Sequence, residues 1–173
     1  MLLTLLVGCT AALMTAATPA AAEPAEPTYH LINRISKKCL GISGGSTANG
    51  ALAVQWDCSF DPSSDQGWTL RPLGADYYQL RNRRSGKCLG ISAGSRADGA
   101  LAVQWDCSAN RVTDQTWGLV HIPGNVQVWW RNVLSNRCLG IAAASLENGA
   151  LAVQWRCANS VASDQTWRLE PLA

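Results

Sequence analysis

Apolar and polar residues alternate in short runs along most of the chain, and no run after residue 28 sustains the 3.6 period of a helix. Within Ala51–Cys58, Leu52, Val54 and Trp56 fall on one face at the strand period of two. Two further runs, Tyr29–Arg34 and Cys39–Ser43, flank a turn at Ser36-Lys37-Lys38. Segment Gly44–Gly50 holds only small or polar residues, and its Asn49-Gly50 pair supplies the positive φ of a tight turn. A last run, Trp68–Leu73, sets Trp68 and Leu70 on one face, with Pro72 ending it. The pattern predicts four short strands and no helix.

That four-strand unit recurs, and a repeat of this length governs the whole fold. Lys38–Cys58 and Lys87–Cys107 differ at three of 21 positions, and Arg137–Cys157 is a looser third copy, at offsets of 49 and then 50 residues. The offsets extend to Asp65-Gln66-Gly67-Trp68, Asp114-Gln115-Thr116-Trp117 and Asp164-Gln165-Thr166-Trp167, and to Asn33, Asn82 and Asn132. The prediction is an all-β domain over residues 29–173, with units at 29–73, 78–121 and 127–171. One unit alone cannot bury both of its tryptophans, so the three must pack about a common axis. A closed barrel capped by hairpins would remove the exposed sheet edges.

Six of the seven cysteines fall in phase with the repeat, as 39/58, 88/107 and 138/157. Of the fifteen pairings that six cysteines allow, one disulfide per unit is the simplest. Such a set fits an oxidising compartment. The seventh, Cys9, lies in an uncharged stretch from Met1 to Ala22 that ends in small residues and reads as a signal peptide cleaved before Glu23. Thr4, Gly8, Thr10, Thr15 and Pro19 interrupt its apolar run, against a membrane span. A positive n-region is missing, since the first basic residue is Arg34. Leu6-Val7-Gly8-Cys9 offers the alternative of a lipobox, with a lipid anchor on Cys9. Residues 23–28, rich in proline, read as an extended linker. Secretion is therefore expected, with no transmembrane segment in the mature chain.

Composition narrows the function. Charged residues make up 15% and the net charge is only +2, which argues against a nucleic-acid partner. Two histidines, His30 and His121, leave little for a metal site or a triad, and the cysteines lack a C-x-x-C spacing. No nucleophile elbow, zinc-protease helix or phosphate loop occurs. Asp57 and Asp106 stand near Asp65 and Asp114 as paired carboxylates, but the third copy has Arg156 there, and the pairs read as solvated charge. The basic run Arg81, Arg83, Arg84 and Lys87 is unmatched in the other units and reads the same way. No catalytic residue, cofactor or metal is assigned.

Gln66-x-Trp68, Gln115-x-Trp117 and Gln165-x-Trp167, with Cys-Leu before a Gly-rich turn and Trp-x-Cys after it, resemble the QxW repeats of ricin-type lectins. The resemblance runs from Tyr29 to the C-terminus. It implies a β-trefoil, a carbohydrate-binding module that is not an enzyme. In that family an Asp directly after Cys-Leu accepts from sugar hydroxyls, and a Gln two residues before an aromatic positions the sugar. The aromatic stacks on the ring, and an Asn and the final Gln complete the rim. Carried over, the stacking residues are Trp56, Trp105 and Trp155, and the final glutamines are Gln66, Gln115 and Gln165. Asp65, Asp114 and Asp164 replace the Asn. Gly41, Gly90 and Gly140 replace the Asp, and Val54, Val103 and Val153 the positioning Gln. A bulge would turn Gln55, Gln104 and Gln154 towards the pocket instead.

Two functions follow as expectations: a secreted, multivalent, monomeric lectin for a polysaccharide or glycan, or a disulfide-stapled trefoil scaffold that binds protein partners. Exposure of Trp56, Trp105 and Trp155 separates them, because the face Leu52-Val54-Trp56 is wholly apolar and would favour burial.

Overall fold

The computed structural model describes residues 26–172. The leader, the Cys9 lipobox and the start of the linker lie outside these residues. Twelve strands follow one another in three matching sets. The first set is β1 (Thr28–Asn33), β2 (Cys39–Ile42), β3 (Ala53–Trp56) and β4 (Trp68–Gly74). The second is β5 (Tyr77–Asn82), β6 (Cys88–Ile91), β7 (Ala102–Trp105) and β8 (Trp117–His121). The third is β9 (Gln127–Asn132), β10 (Cys138–Ile141), β11 (Ala152–Trp155) and β12 (Thr166–Pro171).

Six of these strands close a barrel. β1 pairs with β4 and β12, β5 with β4 and β8, and β9 with β8 and β12, all antiparallel. The other six form three hairpins, β2–β3, β6–β7 and β10–β11, that cap one end. Isolated bridges Leu52–Val103, Leu101–Val153 and Val54–Leu151 link the hairpins in a ring. This is a β-trefoil. The three disulfides are those expected, Cys39–Cys58, Cys88–Cys107 and Cys138–Cys157. Among the described residues, no helix is long and apolar enough to cross a membrane.

Three details depart from the sequence reading. Pro72 does not end the fourth strand: β4 runs on to Gly74, and Pro72 pairs with Tyr78 next to a register shift, the kind of irregular place where a sheet tolerates proline. Each Gly-rich segment begins with a single 3-10 turn, Ser43–Gly45, Ser92–Gly94 or Ala142–Ala144, too short to leave a helical period. In the third strand of each unit, the alternation points the other way from the apolar count. Ala53 and Gln55 face the interior with no exposed surface, while Trp56 on the opposite face is half exposed.

Trp68, Trp117 and Trp167 are fully buried and anchor the core with Leu31, Leu80 and Trp130. Each of the three repeat indoles donates its N–H to the carbonyl of Leu40, Leu89 or Leu139 at 2.9 Å, which satisfies the one polar atom a buried tryptophan brings.

Buried glutamines lock unit to unit. Gln55 Nε2 donates to Ser145 O and Glu147 O, Gln104 Nε2 to Ser46 O and Ala48 O, and Gln154 Nε2 to Ser95 O and Ala97 O. Each Oε1 accepts from a serine of its own unit, Ser36, Ser85 or Ser135. Each glutamine thus ties its unit to the turn of the preceding one, around a closed cycle. These glutamines point away from the pockets, so no bulge presents them to a ligand.

His30 breaks the pattern. It is 1% exposed, packs under Phe60 at a ring distance of 5.5 Å, and neither ring nitrogen has a partner among the described residues. Its counterpart Gln79 donates to Ser108 O. Burial lowers the His30 pKa below its usual 6.5. The unfolded chain therefore takes up the proton first as pH falls. The stability of the neutral imidazole is intact above about pH 6.5 and is lost below it, towards the lower folded value. The melting temperature should fall between about pH 7 and 5. His30→Gln should flatten that slope, and an equal slope in both proteins would show that His30 does not set it.

Candidate functional site

Three pockets stand at equivalent places, one per unit. Unit one's has a volume of about 420 Å³ and is lined by Trp56, Asp65 and Gln66 together with Gly41, Val54 and Arg84. Unit two's, about 290 Å³, is lined by Trp105, Asp114 and Gln115 with Gly50 and Val103. Unit three's, about 480 Å³, is lined by Trp155, Asp164 and Gln165 with Gly99 and Val153. The structure therefore brings together all nine residues singled out from the sequence, three to a pocket.

The indoles are half exposed, each at 51%. Each rests against the hairpin glycine of the preceding unit. A Cβ on Gly50, Gly99 or Gly149 would meet the Cζ3 of Trp105, Trp155 or Trp56 at 3.3, 2.9 or 3.3 Å. All three glycines are also left-handed, with φ of 80°, 77° and 80°. The tight turn and the flat seat for the indole thus both call for glycine at these positions.

The carboxylates are fixed on one side. Asp65 Oδ2 accepts from the Ile42 N–H, Asp114 Oδ2 from Ile91 and Asp164 Oδ2 from Ile141, at 2.5, 3.0 and 2.9 Å. The Oδ1 atoms take no hydrogen bond among the described residues. These aspartates do not simply cap their own turns. They reach 23 residues back along the chain to the end of the second strand.

That reach explains the glycines after Cys-Leu. A Cβ on Gly41 would stand 2.6 Å from Asp65 Oδ2, and one on Gly90 or Gly140 would stand 2.5 Å from Asp114 or Asp164 Oδ2. The carboxylate fills the space that a side chain after Cys-Leu would need. The Gly and the Asp are two halves of one exchange, made identically in all three units: a carboxylate is present, supplied from the loop before the QxW strand.

The QxW glutamines line the walls, but their amides are engaged. Gln66 Oε1 accepts from Ser59 N–H and Nε2 donates to Asp57 O. Gln115 and Gln165 repeat this with Ser108 and Asp106, and with Ala158 and Arg156. The glutamines close the loop that carries the aspartate.

Asn33, Asn82 and Asn132 do related work that the repeat offsets signalled but the sequence left unassigned. Their Nδ2 atoms donate to Asp164 O, Asp65 O and Asp114 O, so each asparagine pins the carboxylate-bearing residue of the neighbouring unit.

Asp57 and Asp106 are committed to surface pairs. Asp57 is held below the usual carboxylate range first by the hydrogen bond from Lys38, then by Asn148, and Asp106 by Lys87 and Asn49. In unit three the equivalent cation, Arg137, pairs with Asp98 of unit two. Among the described residues, no group of three or more His, Cys, Asp or Glu is placed to hold a metal ion.

A barrel of this topology, with three disulfides and an aromatic-carboxylate pocket in each unit, defines a lectin-like β-trefoil. The family model described as "Ricin-type beta-trefoil lectin domain-like" matches residues 20–105. The chain belongs to this ricin-type β-trefoil family. The designed threefold-symmetric protein ThreeFoil is 33% identical, with a TM-score of 0.76, over 83% of this chain and 97% of that one. An exo-beta-1,3-galactanase from Clostridium thermocellum is 27% identical, with a TM-score of 0.77, over 86% of this chain and 31% of that longer one. The C-half of the earthworm R-type lectin, solved in complex with GalNAc, shares the fold at 18% identity, with a TM-score of 0.64, over 84% of this chain and 98% of that one. A comparison with curated proteins gives no match.

Proposed function

We propose that the chain is a secreted, multivalent, non-catalytic carbohydrate-binding module. The observation that carries this reading is the threefold coincidence of an open indole face and a carboxylate oxygen that takes no hydrogen bond among the described residues. A pyranose presents C–H groups on one face, and a flat indole removes them from water. Hydroxyls on the ring edge then donate to the Oδ1 of Asp65, Asp114 or Asp164, a charge-assisted bond stronger than one between neutral groups. Three such pockets on one rigid body let a repeating glycan engage more than one at a time, so avidity compensates for shallow single sites. The disulfides support an oxidising destination. Asp57 and Asp106 are committed to pairs with Lys38 and Lys87, which supports reading them as surface charge rather than as acids for hydrolysis.

A glycan and polysaccharide screen of the protein, beside the Trp56→Ala, Trp105→Ala, Trp155→Ala variant, tests the reading. The indoles are half exposed, so the variant should keep its fold. Each lost stacking face should cost about 2 kcal/mol, a factor of about 30 per site. Binding unchanged in the variant would place the sugar elsewhere. A protein that binds no glycan would favour the scaffold for protein partners.

A further inference from the structure

The three pockets share a plan but differ in their walls. In the 3-10 turn that borders each pocket, the third position is Gly45 in unit one, Gly94 in unit two and Ala144 in unit three. A Cβ on Gly45 would lie 3.7 Å from Asp65 Oδ1 and 3.4 Å from Arg84 Nη1, and one on Gly94 would lie 3.7 Å from Leu134 Cδ2. Ala144 carries that methyl and lines the same pocket as Trp155 and Asp164. It does so in an unfavourable conformation: Ala144 has φ of 49° and Ala143 of 54°, in the left-handed region that disfavours any residue with a Cβ. Non-glycine residues held there cluster at binding sites.

The facing wall comes from the next unit around the ring. It is Arg84 in pocket one and, near Gly94, Leu134 in pocket two; the residue in the equivalent repeat position for unit three is Ile35, two residues beyond the Asn33 that pins Asp164. Asp164 is the one ionisable side chain lining pocket three, whereas pocket one holds Asp57, Asp61, Asp65 and Arg84.

We propose that unit three's pocket selects sugars bearing a methyl group over the same sugars without it. The methyl is the C6 methyl of a 6-deoxyhexose or the acetyl methyl of an N-acetylhexosamine. Ala144 is the specificity-determining residue, the incoming methyl packs against it, and the neighbouring hydroxyl donates to Asp164 Oδ1. The inference rests on the carbohydrate-binding reading above.

Three single-pocket proteins test it, each the full chain with two of Trp56, Trp105 and Trp155 changed to Ala. Each is titrated with D-galactose, 6-deoxy-D-galactose and N-acetyl-D-galactosamine, and with the corresponding gluco sugars. The unit-three protein should bind a methyl-bearing sugar about three- to tenfold more tightly than its parent hexose. The unit-one and unit-two proteins should discriminate less than about twofold, since they lack the Ala144 methyl. Which of the two sugar series shows the gain identifies the methyl. Adding Ala144→Gly to the unit-three protein should remove the preference, and glycine's tolerance of the left-handed turn keeps the fold. Equal affinities at unit three, a preference that survives Ala144→Gly, or the same preference at unit one would each overturn the proposal. Absence of binding to any sugar in all three proteins and in the parent would overturn the carbohydrate-binding reading itself, and this inference with it.

Discussion

Replacing Gln154 by alanine should lower the stability of the fold by about 3 kcal/mol, which for a domain of this size is about 6–12 °C in melting temperature. The side chain is fully buried and makes three hydrogen bonds, to Ser135 Oγ, Ser95 O and Ala97 O. Truncation removes a donor pair that no neighbour supplies and leaves a cavity at the seam between units two and three. Gln154→Glu is the sharper variant. An ionised carboxylate there would face two carbonyl oxygens with no proton to offer, so it should be worse than alanine at neutral pH. Protonation at low pH restores one donor, so the deficit relative to alanine should narrow as pH falls. Chemical denaturation of both variants at pH 7 and pH 5 checks this. A shift of less than about 1 kcal/mol in both would mean that the seam does not depend on this amide.

The second large effect is expected at Gly90. Gly90→Asp places a Cβ 2.5 Å from Asp114 Oδ2 and 2.9 Å from Gln115 Cγ, and sets two carboxylates side by side. Overpacking and like-charge repulsion together should cost about 2–4 kcal/mol. Asp114→Asn alone should cost far less, because its remaining oxygen still accepts the Ile91 N–H. Combining the two returns the arrangement of the ricin-type pattern, Asp after Cys-Leu and Asn before the QxW glutamine, and should recover the part of the loss that comes from repulsion. A double-mutant cycle on stability therefore gives a coupling energy of about 1 kcal/mol or more. Simple additivity would show that like-charge repulsion contributes nothing to the cost of Gly90→Asp.

The repeat made much of the fold legible. In-phase copies of Trp, Cys and Gly fix the number of units, and the period-two runs fix the strands between them. The cysteine spacing predicted the three bridges that are observed. What escaped was direction. Leu52-Val54-Trp56 is the more hydrophobic face of its strand, but the trefoil interior takes Ala53 and Gln55 instead. A buried glutamine satisfied from a neighbouring unit leaves no mark in a hydropathy pattern.

The site was legible in part. The nine residues chosen do share three pockets. The glutamine amides, however, serve the loop, and the meaning of Gly41, Gly90 and Gly140 depends on an aspartate 24 residues later in each unit. The side chains that distinguish pockets one and two, Arg84 and Leu134, come from the adjacent repeat, where comparing copies within a unit does not look.

β1, the first strand of the barrel, and β12, the last, are hydrogen-bonded partners, and Leu172 N–H donates to Thr28 O at 2.8 Å. Together with the cyclic glutamine locks, this makes the domain a ring in contact topology, with its first and last strands meeting at one junction among three of the same kind. No unit is first in any physical sense. A polypeptide opened instead at the Gly74–Tyr77 turn and joined between β12 and β1 would contain the same seams, the same bridges and the same three pockets.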